Sequence, residues 1–334
     1  MSERDAVAWN ENEIADLTAK VGALRASMAR VIIGQDEVVE SLIICLLAGG
    51  HALVEGVPGL GKTLLVKSLA QATDMQFRRV QFTPDLMPSD IVGTEILEED
   101  TTTRQRVFRF QQGPVFTQVL LADEINRAPP KTQSALLEAM QERSVTFAGQ
   151  THKLPQPFFV LATQNPIEQA GTYPLPEAQL DRFLLRIDVG YPTEDEEIAM
   201  VGATTHAGLA DAEPAMTLET LLRLQQLVRD IEIGDAMLRY ATRLVRATRP
   251  AESPVESIRK HIGWGAGPRA GQALVLASKA RALMQGRLAV TREDIGAMLL
   301  PVLAHRVLRN FEAEADGIAI VDILAALRAE VRID

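Results

Sequence analysis

The segment GVPGLGKT, residues 56–63, constrains this chain more than any other. It fits the phosphate-binding loop pattern G-x-x-x-x-G-K-T, and it has the context that gives the pattern meaning. A short apolar run, HALVE (51–55), precedes it and reads as a strand; a helical stretch from Gly61 to about Ala72 follows. Gly56, Gly59 and Gly61 permit backbone conformations that bring several N–H groups onto one anion. The helix starting there aims the positive end of its dipole at the same anion. Lys62 would reach the β- and γ-phosphates of a nucleotide, and Thr63 would put its hydroxyl on Mg²⁺. A glycine-rich turn with an incidental Lys-Thr is the alternative, and the flanking strand and helix argue against it.

A loop of this kind belongs in an open parallel sheet. FRRVQF (77–82), QVLLAD (118–123), FFVLAT (158–163) and LLRIDV (184–189) read as further apolar strands. Helical stretches lie between most of them, notably about 131–142. This alternation predicts an α/β fold with a parallel sheet covered on both faces. Upstream, Ile14, Leu17, Val21, Leu24 and Met28 form one face of a helix over 12–30. A second helix, apolar on most sides, is expected at about 35–48. Between about Asp90 and Phe116 the pattern changes: EILEEDTTTRQRVFRF reads as a hairpin inserted into the α/β order, and insertions often carry function. After Tyr191-Pro192 strands disappear. Helices are predicted over about 193–207, 217–230, 235–248, 269–284, 291–299 and 318–331, with Thr291 and Asp294 as a helix-start signal. The expected division is 1–191 for the α/β part, which would bind nucleotide, and 192–334 for an all-helical part.

VLLADE (119–124) is an apolar strand ending in two carboxylates. Asp123 would help hold Mg²⁺, which prefers hard oxygen ligands, and Glu124 would polarise an attacking water. An Asp-Glu at a strand end is commonplace alone; the phosphate loop upstream gives it weight. FFVLATQNP (158–166) ends in polar residues at the carboxyl edge of the sheet, where open α/β sheets bind ligands. Asn165 could lie there beside the γ-phosphate, against the plainer reading of a turn-forming Asn-Pro.

Composition narrows the function classes. With 34 basic and 44 acidic residues the formal net charge is −10, which disfavours a protein that coats nucleic acid. A single cysteine, Cys45, excludes an internal disulfide framework, and its place in LIICLLA reads as a buried thiol. The five histidines are scattered without ligand spacing. The N-terminus is acidic and lacks the apolar core of a signal peptide, and no apolar run is long enough to span a membrane. The expectation is a cytoplasmic protein.

At this point the residues resemble the AAA+ ATPases, and within them the MoxR family, from about Arg30 to about Val307. The resemblance rests on VIIGQDEVV (31–39), GVPGLGKT (56–63), LLADEINRAPPKTQSALLEAMQE (120–142), ATQNPIEQAGTYPLPEAQLDRFLL (162–185) and GPRA (267–270). It implies an AAA+ core followed by a helical lid, and assembly into a ring, usually hexameric, with ATP and Mg²⁺ at subunit junctions. Ile33, Gly34 and Gln35 match the segment flanking the adenine. The phosphate loop with its flanks, Gly56, Val57, Pro58, Gly59, Leu60, Gly61, Lys62, Thr63 and Leu64, would bind the nucleotide. Arg182, in LDRF, matches the arginine finger that points at a neighbouring subunit's γ-phosphate, with Arg186 as the fallback; spacing alone would make Arg182 a surface ion pair. Arg269 matches sensor 2, although Gly267 stands where the family usually has Ser. Its action on its own or a neighbour's nucleotide is left open.

The hairpin matches the helix-2 insert, which usually faces the ring pore. Its Arg104, Arg106, Arg109, Phe108 and Phe110 could grip a peptide or a nucleic-acid strand, or Val107, Phe108 and Phe110 could simply pack it down. The resemblance implies a chaperone-like motor in the maturation of partner proteins, often ones with a von Willebrand factor A domain. A nucleic-acid-dependent motor is the alternative, supported by the hairpin arginines and opposed by the net charge. A non-hydrolysing scaffold is a third reading, opposed by the intact set Lys62, Asp123, Glu124, Asn165 and Arg182.

Overall fold

The computed structural model describes residues 9–57, 59–99, 106–165, 171–205 and 211–333. Pro58, Arg104, His206 and the hairpin's polar turn lie outside the described residues. The first element among the described residues is α1 (Glu11–Ala29), whose first turn is capped by the Asn10 side chain accepting from the Glu13 N–H. Its expected stripe is turned inward: Leu17, Val21, Leu24 and Met28 are buried. α2 (Asp36–Leu47) carries eight buried residues, Cys45 among them, and burial pushes the Cys45 thiol up. Strand β1 (Ala52–Gly56), helix α3 (Lys62–Ala72) and strand β2 (Phe77–Gln81) follow.

Helix α4 (Pro88–Val92) leads into the antiparallel pair β3 (Gly93–Glu99) and β4 (Arg106–Gln112). This is the hairpin expected from the sequence. Its two phenylalanines part ways: Phe110 stacks on His152 at 4.4 Å between ring centres, whereas Phe108 is 71% exposed. Strand β5 (Val119–Asp123), helix α5 (Pro130–Glu142), the small hairpin β6 (Ser144–Phe147) and β7 (Gln150–Lys153), strand β8 (Phe159–Gln164), the short α6 (Glu177–Leu180) and strand β9 (Leu185–Val189) complete this part.

Five strands form one parallel sheet in the order β2-β5-β8-β1-β9. Alternate residues of a strand face opposite sides, and the core divides accordingly. Ala52, Val54, Val119, Leu121, Leu161 and Ile187 face one cluster; Leu53, Leu120, Ala122 and Val160 face the other. The first cluster holds α1, α2 and α3, the second α5 and the foot of the β3–β4 hairpin.

Helices then take over: α7 (Glu194–Thr205), α8 (Leu218–Asp230), α9 (Asp235–Arg246), α10 (Glu256–His261), α11 (Pro268–Met284), α12 (Arg292–Leu303), α13 (Phe311–Ala315) and α14 (Ile320–Glu330). Leu224, Tyr240, Leu274, Leu299 and Leu327 extend the first core cluster beneath α1 and α2. The C-terminal region is not wholly free of strands. β10 (Ile262–Trp264) and β11 (Leu308–Arg309) pair antiparallel. At three and two residues they are too short for side-chain alternation to signal them. Among the described residues no helix is long and apolar enough to cross a membrane.

Candidate active site

β1 ends where the glycine-rich turn begins. A Cβ on Gly56 would lie 2.5 Å from the Val189 carbonyl oxygen, so only glycine lets β9 run this close. Gly59 and Gly61 hold φ of 89° and 73°, a left-handed backbone that glycine adopts without penalty. Both open onto free space. α3 starts at Lys62, so the unpaired N–H groups of its first turn face the same hollow. Leu60 is buried and Val57 and Leu64 pack against the core, fixing the turn from below. The Lys62 ammonium donates to the Gly56 carbonyl. Burial holds its pKa below the ordinary lysine value, an effect that Asp123 and Glu124 offset only in part.

The IIGQ segment reaches this turn through Gln35, whose Nε2 donates to the Leu60 carbonyl at 3.2 Å. Gly34 has φ 73°, and a Cβ there would meet the Glu196 side chain at 2.6 Å. Ile33, half-buried, precedes it. The start of α7 therefore lies directly on this segment.

β5 delivers Asp123 and Glu124 to the same edge. Asp123 Oδ1 accepts from the Thr163 hydroxyl at 2.6 Å, and Oδ2 accepts from Arg79 Nη2 at 2.6 Å and Nε at 3.2 Å. Glu124 sits in the left-handed region at φ 57°, a strain of about 1–2 kcal/mol for a residue with a Cβ. Its N–H donates to Thr163 Oγ1 at 2.8 Å, which fixes the bend. Its carboxylate Oε2 accepts from Gln81 Nε2 at 2.8 Å and pairs with Arg127 Nη1 at 3.1 Å. Asn165 is buried at the end of β8. Gly59, Gly61, Lys62, Thr63, Asp123, Glu124 and Asn165 all line one cavity of about 290 Å³.

Arg79, Gln81, Thr163 and Arg127 escaped the sequence reading. β2 pairs with β5 so that Gln81 lies opposite Asp123 and Arg79 opposite Leu121, on one face. The signal was present in FRRVQF: polar residues two apart in a strand otherwise expected to be covered on both sides. Thr163 stands two residues before Asn165 on the strand already singled out.

Arg182 and Arg269 are elsewhere. Both line a second cavity of about 340 Å³, with Arg143, Arg229, Arg306 and Asp181. Arg182 precedes β9, and β1 and β9 run in register from Ala52–Leu185 to Gly56–Val189. At about 3.3 Å per residue the strand alone puts roughly 13 Å between this end of the sheet and the glycine turn. Arg182 Nη1 donates to the Leu137 carbonyl at 2.7 Å, and Arg269 Nη1 lies 3.8 Å from Asp181 Oδ2. Arg186, the fallback, is engaged in its own sheet with Glu55 at 3.1 Å and Asp188 at 2.8 Å.

The first cavity suits a magnesium nucleotide. The Thr63 hydroxyl and Asp123 carboxylate are hard oxygen donors. Two bare glycines and a helix N-terminus offer N–H groups to phosphate without side-chain obstruction.

Comparison with known proteins agrees along the chain. Residues 51–185 match the family described as ATPase family associated with various cellular activities (AAA), and 256–327 match the AAA lid domain. Chaperone MoxR1 of Mycobacterium tuberculosis is 44% identical over 310 residues, covering 91% of this chain and 80% of that protein. Protein MoxR of Paracoccus denitrificans is 32% identical over 314 residues, covering 89% and 91%. The crystal structure of a Cytophaga hutchinsonii protein superposes with a TM-score of 0.90 at 40% identity, covering 97% of this chain and 98% of its own. With a phosphate cradle, a paired carboxylate edge and relatives that match almost end to end, the chain belongs to the MoxR family of AAA+ ATPases.

Proposed function

We propose that the chain hydrolyses ATP with Mg²⁺ as one member of a ring, usually of six copies, and that the ring drives maturation of partner proteins. The observation that carries this is the separation of two half-sites. One edge of the sheet holds the phosphate cradle and carboxylates; the other holds Arg182 and Arg269. Placed edge to edge, two copies would complete each other.

In this reading Gly56, Val57, Pro58, Gly59, Leu60, Gly61, Lys62, Thr63 and Leu64 hold the phosphates and Ile33, Gly34 and Gln35 flank the adenine. Thr63 and Asp123 would hold Mg²⁺, which would supply charge neutralisation for the phosphates. Glu124 polarises the attacking water, and Asn165 helps place it. Arg182 and Arg269 both serve the neighbour's nucleotide; an arginine finger is worth roughly 10³–10⁵ in rate. We place the division into nucleotide-binding and lid domains at 191/192, and the protein in the cytoplasm. A partner with a von Willebrand factor A domain would supply substrate choice. The chaperone name of the mycobacterial relative supports the partner-directed reading. Arg109 of the hairpin makes an exposed ion pair with Glu98 at 3.2 Å, and the net charge of −10 opposes the nucleic-acid alternative.

The test is a pair of variants. Lys62→Ala should abolish most binding of a fluorescent ATP analogue. Glu124→Gln should bind it normally and release no phosphate. Binding unchanged in the first, or turnover retained in the second, refutes the assignment of the cleft.

A further inference from the structure

Arg306 is 8% exposed, which is costly for a guanidinium unless every donor is matched. Here all are matched. Nε donates to Asp181 Oδ1 at 2.8 Å; Nη1 donates to the Leu184 carbonyl at 3.1 Å and the Val302 carbonyl at 2.5 Å. Nη2 donates to the Phe183 carbonyl at 2.5 Å and the Asp181 carbonyl at 3.3 Å. An arginine has five N–H groups, and four of these five bonds end on residues 181–184. The adjacent His305 adds a fifth contact to that segment, its Nε2 donating to the Phe183 carbonyl at 3.1 Å. Burial keeps His305 well below its ordinary pKa, so the ring stays neutral.

These contacts bracket Arg182 on both sides without touching it. Asp181 precedes it, and Phe183 and Leu184 follow. Both donors come from the turn after α12, in the helical region, so that region grips the finger segment from inside the molecule. The Arg182 guanidinium itself donates to the Leu137 carbonyl of α5, in the α/β part.

We infer that Arg306, assisted by His305, is a positioning residue for Arg182. It transmits the placement of the helical region to the arginine that completes the next copy's cleft. This rests on Arg182 acting on a neighbour, and the experiment separates the two ideas.

Arg306→Lys keeps the charge but replaces a five-donor fork with one ammonium. Asp181→Asn is the milder second variant, at a part-exposed position; because Asp181 Oδ2 also lies 3.8 Å from Arg269, it is read only beside Arg306→Lys, which leaves that pair in place. Each should bind the fluorescent ATP analogue as the unaltered chain does, with KM unchanged, because the cleft lies at the other edge of the sheet. A misplacement of about 1 Å costs roughly 10²-fold in rate, so kcat should fall about 10–100-fold in Arg306→Lys and less in Asp181→Asn. Each is then mixed with Glu124→Gln chains, which have a dead cleft and an intact Arg182. Turnover should recover, as it should in a control mixture of Arg182→Ala with Glu124→Gln. If the control recovers and the Arg306→Lys and Asp181→Asn mixtures do not, or if nucleotide affinity falls with kcat, Arg306 only packs the core and the inference is wrong. If the control itself fails to recover, Arg182 does not act across copies, and both ideas fall.

Discussion

Asp123 is claimed twice. Arg79 holds one of its oxygens with two N–H groups, and the same carboxylate is the one proposed for magnesium. The pair is only partly sheltered, with Arg79 about half exposed, so it is worth about 1 kcal/mol, or roughly fivefold in an equilibrium. Arg79→Ala should therefore lower the Mg²⁺ concentration for half-maximal nucleotide binding by about fivefold. A magnesium titration of fluorescent-nucleotide binding checks this, and an unchanged or higher requirement refutes it. Lys62, Thr63, Asp123, Glu124 and Asn165 were legible in the sequence because each ends or follows an apolar run. The chemistry proposed for them follows their order along the chain, and the structure brings them to one cavity. Arg79 and Gln81 showed only as polar positions in a strand, because their relation to Asp123 and Glu124 is across strands. Only the β2–β5 register brings them there, and nothing within FRRVQF states what lies alongside.

Among the elements, α11 and α12 show how one residue can do two jobs. Asp294 caps α12 with Thr291, as the sequence suggested, its Oδ2 accepting from the Thr291 N–H at 2.9 Å. It also receives Arg281 at 2.6 Å and Arg287 at 2.6 and 2.7 Å, tying α12 back to α11. Burial would raise its pKa, but hydrogen bonds from Arg287, Thr291 and Arg281 bring it to about 2. The ordinary value is about 3.9. Asp294 therefore contributes its full stability above about pH 4 and loses it as pH falls through about 2. Asp294→Ala should cost about 2–3 kcal/mol at neutral pH, because it removes the α12 cap and the shared acceptor of two part-exposed guanidinium groups. Denaturant melts of both proteins between pH 2 and 7 would show it. The gap should shrink toward the acid end, and an equal gap at every pH would refute the assignment.

The long elements were legible at this scale, since β1, β2, β5, β8 and β9 begin and end within a residue or so of the apolar runs. The β6–β7 hairpin, α10 and α13 were not, because each is too short to show a period. α12 outran its expected end near residue 299 and passes through Pro301. Packing against α11 and β9 holds a turn that local preference would release.

For the whole molecule, the testable quantity is the dependence of turnover on assembly. Arg182→Ala should leave nucleotide affinity intact and lower kcat by roughly 10³ or more. Light scattering with and without ATP should show the mass of several copies where turnover is found. Full-rate hydrolysis at the mass of one chain would overturn the shared-site reading. The sequence carried the sheet, the helical C-terminal region and the family, because these follow from patterns along the chain. It could not carry the opposition of the two cavities. That emerges only once β1 and β9 lie parallel and place residues 56 and 182 at opposite ends.

This opposition gives every copy a front and a back. If each cleft is completed from next door, copies must join head to tail, and such contacts close into a circle or run on as a filament. A chain spoiled on only one of its faces would still take its place in the series while silencing a single junction. Mixed populations would then lose output junction by junction, and the shape of that loss would count the links in the circle.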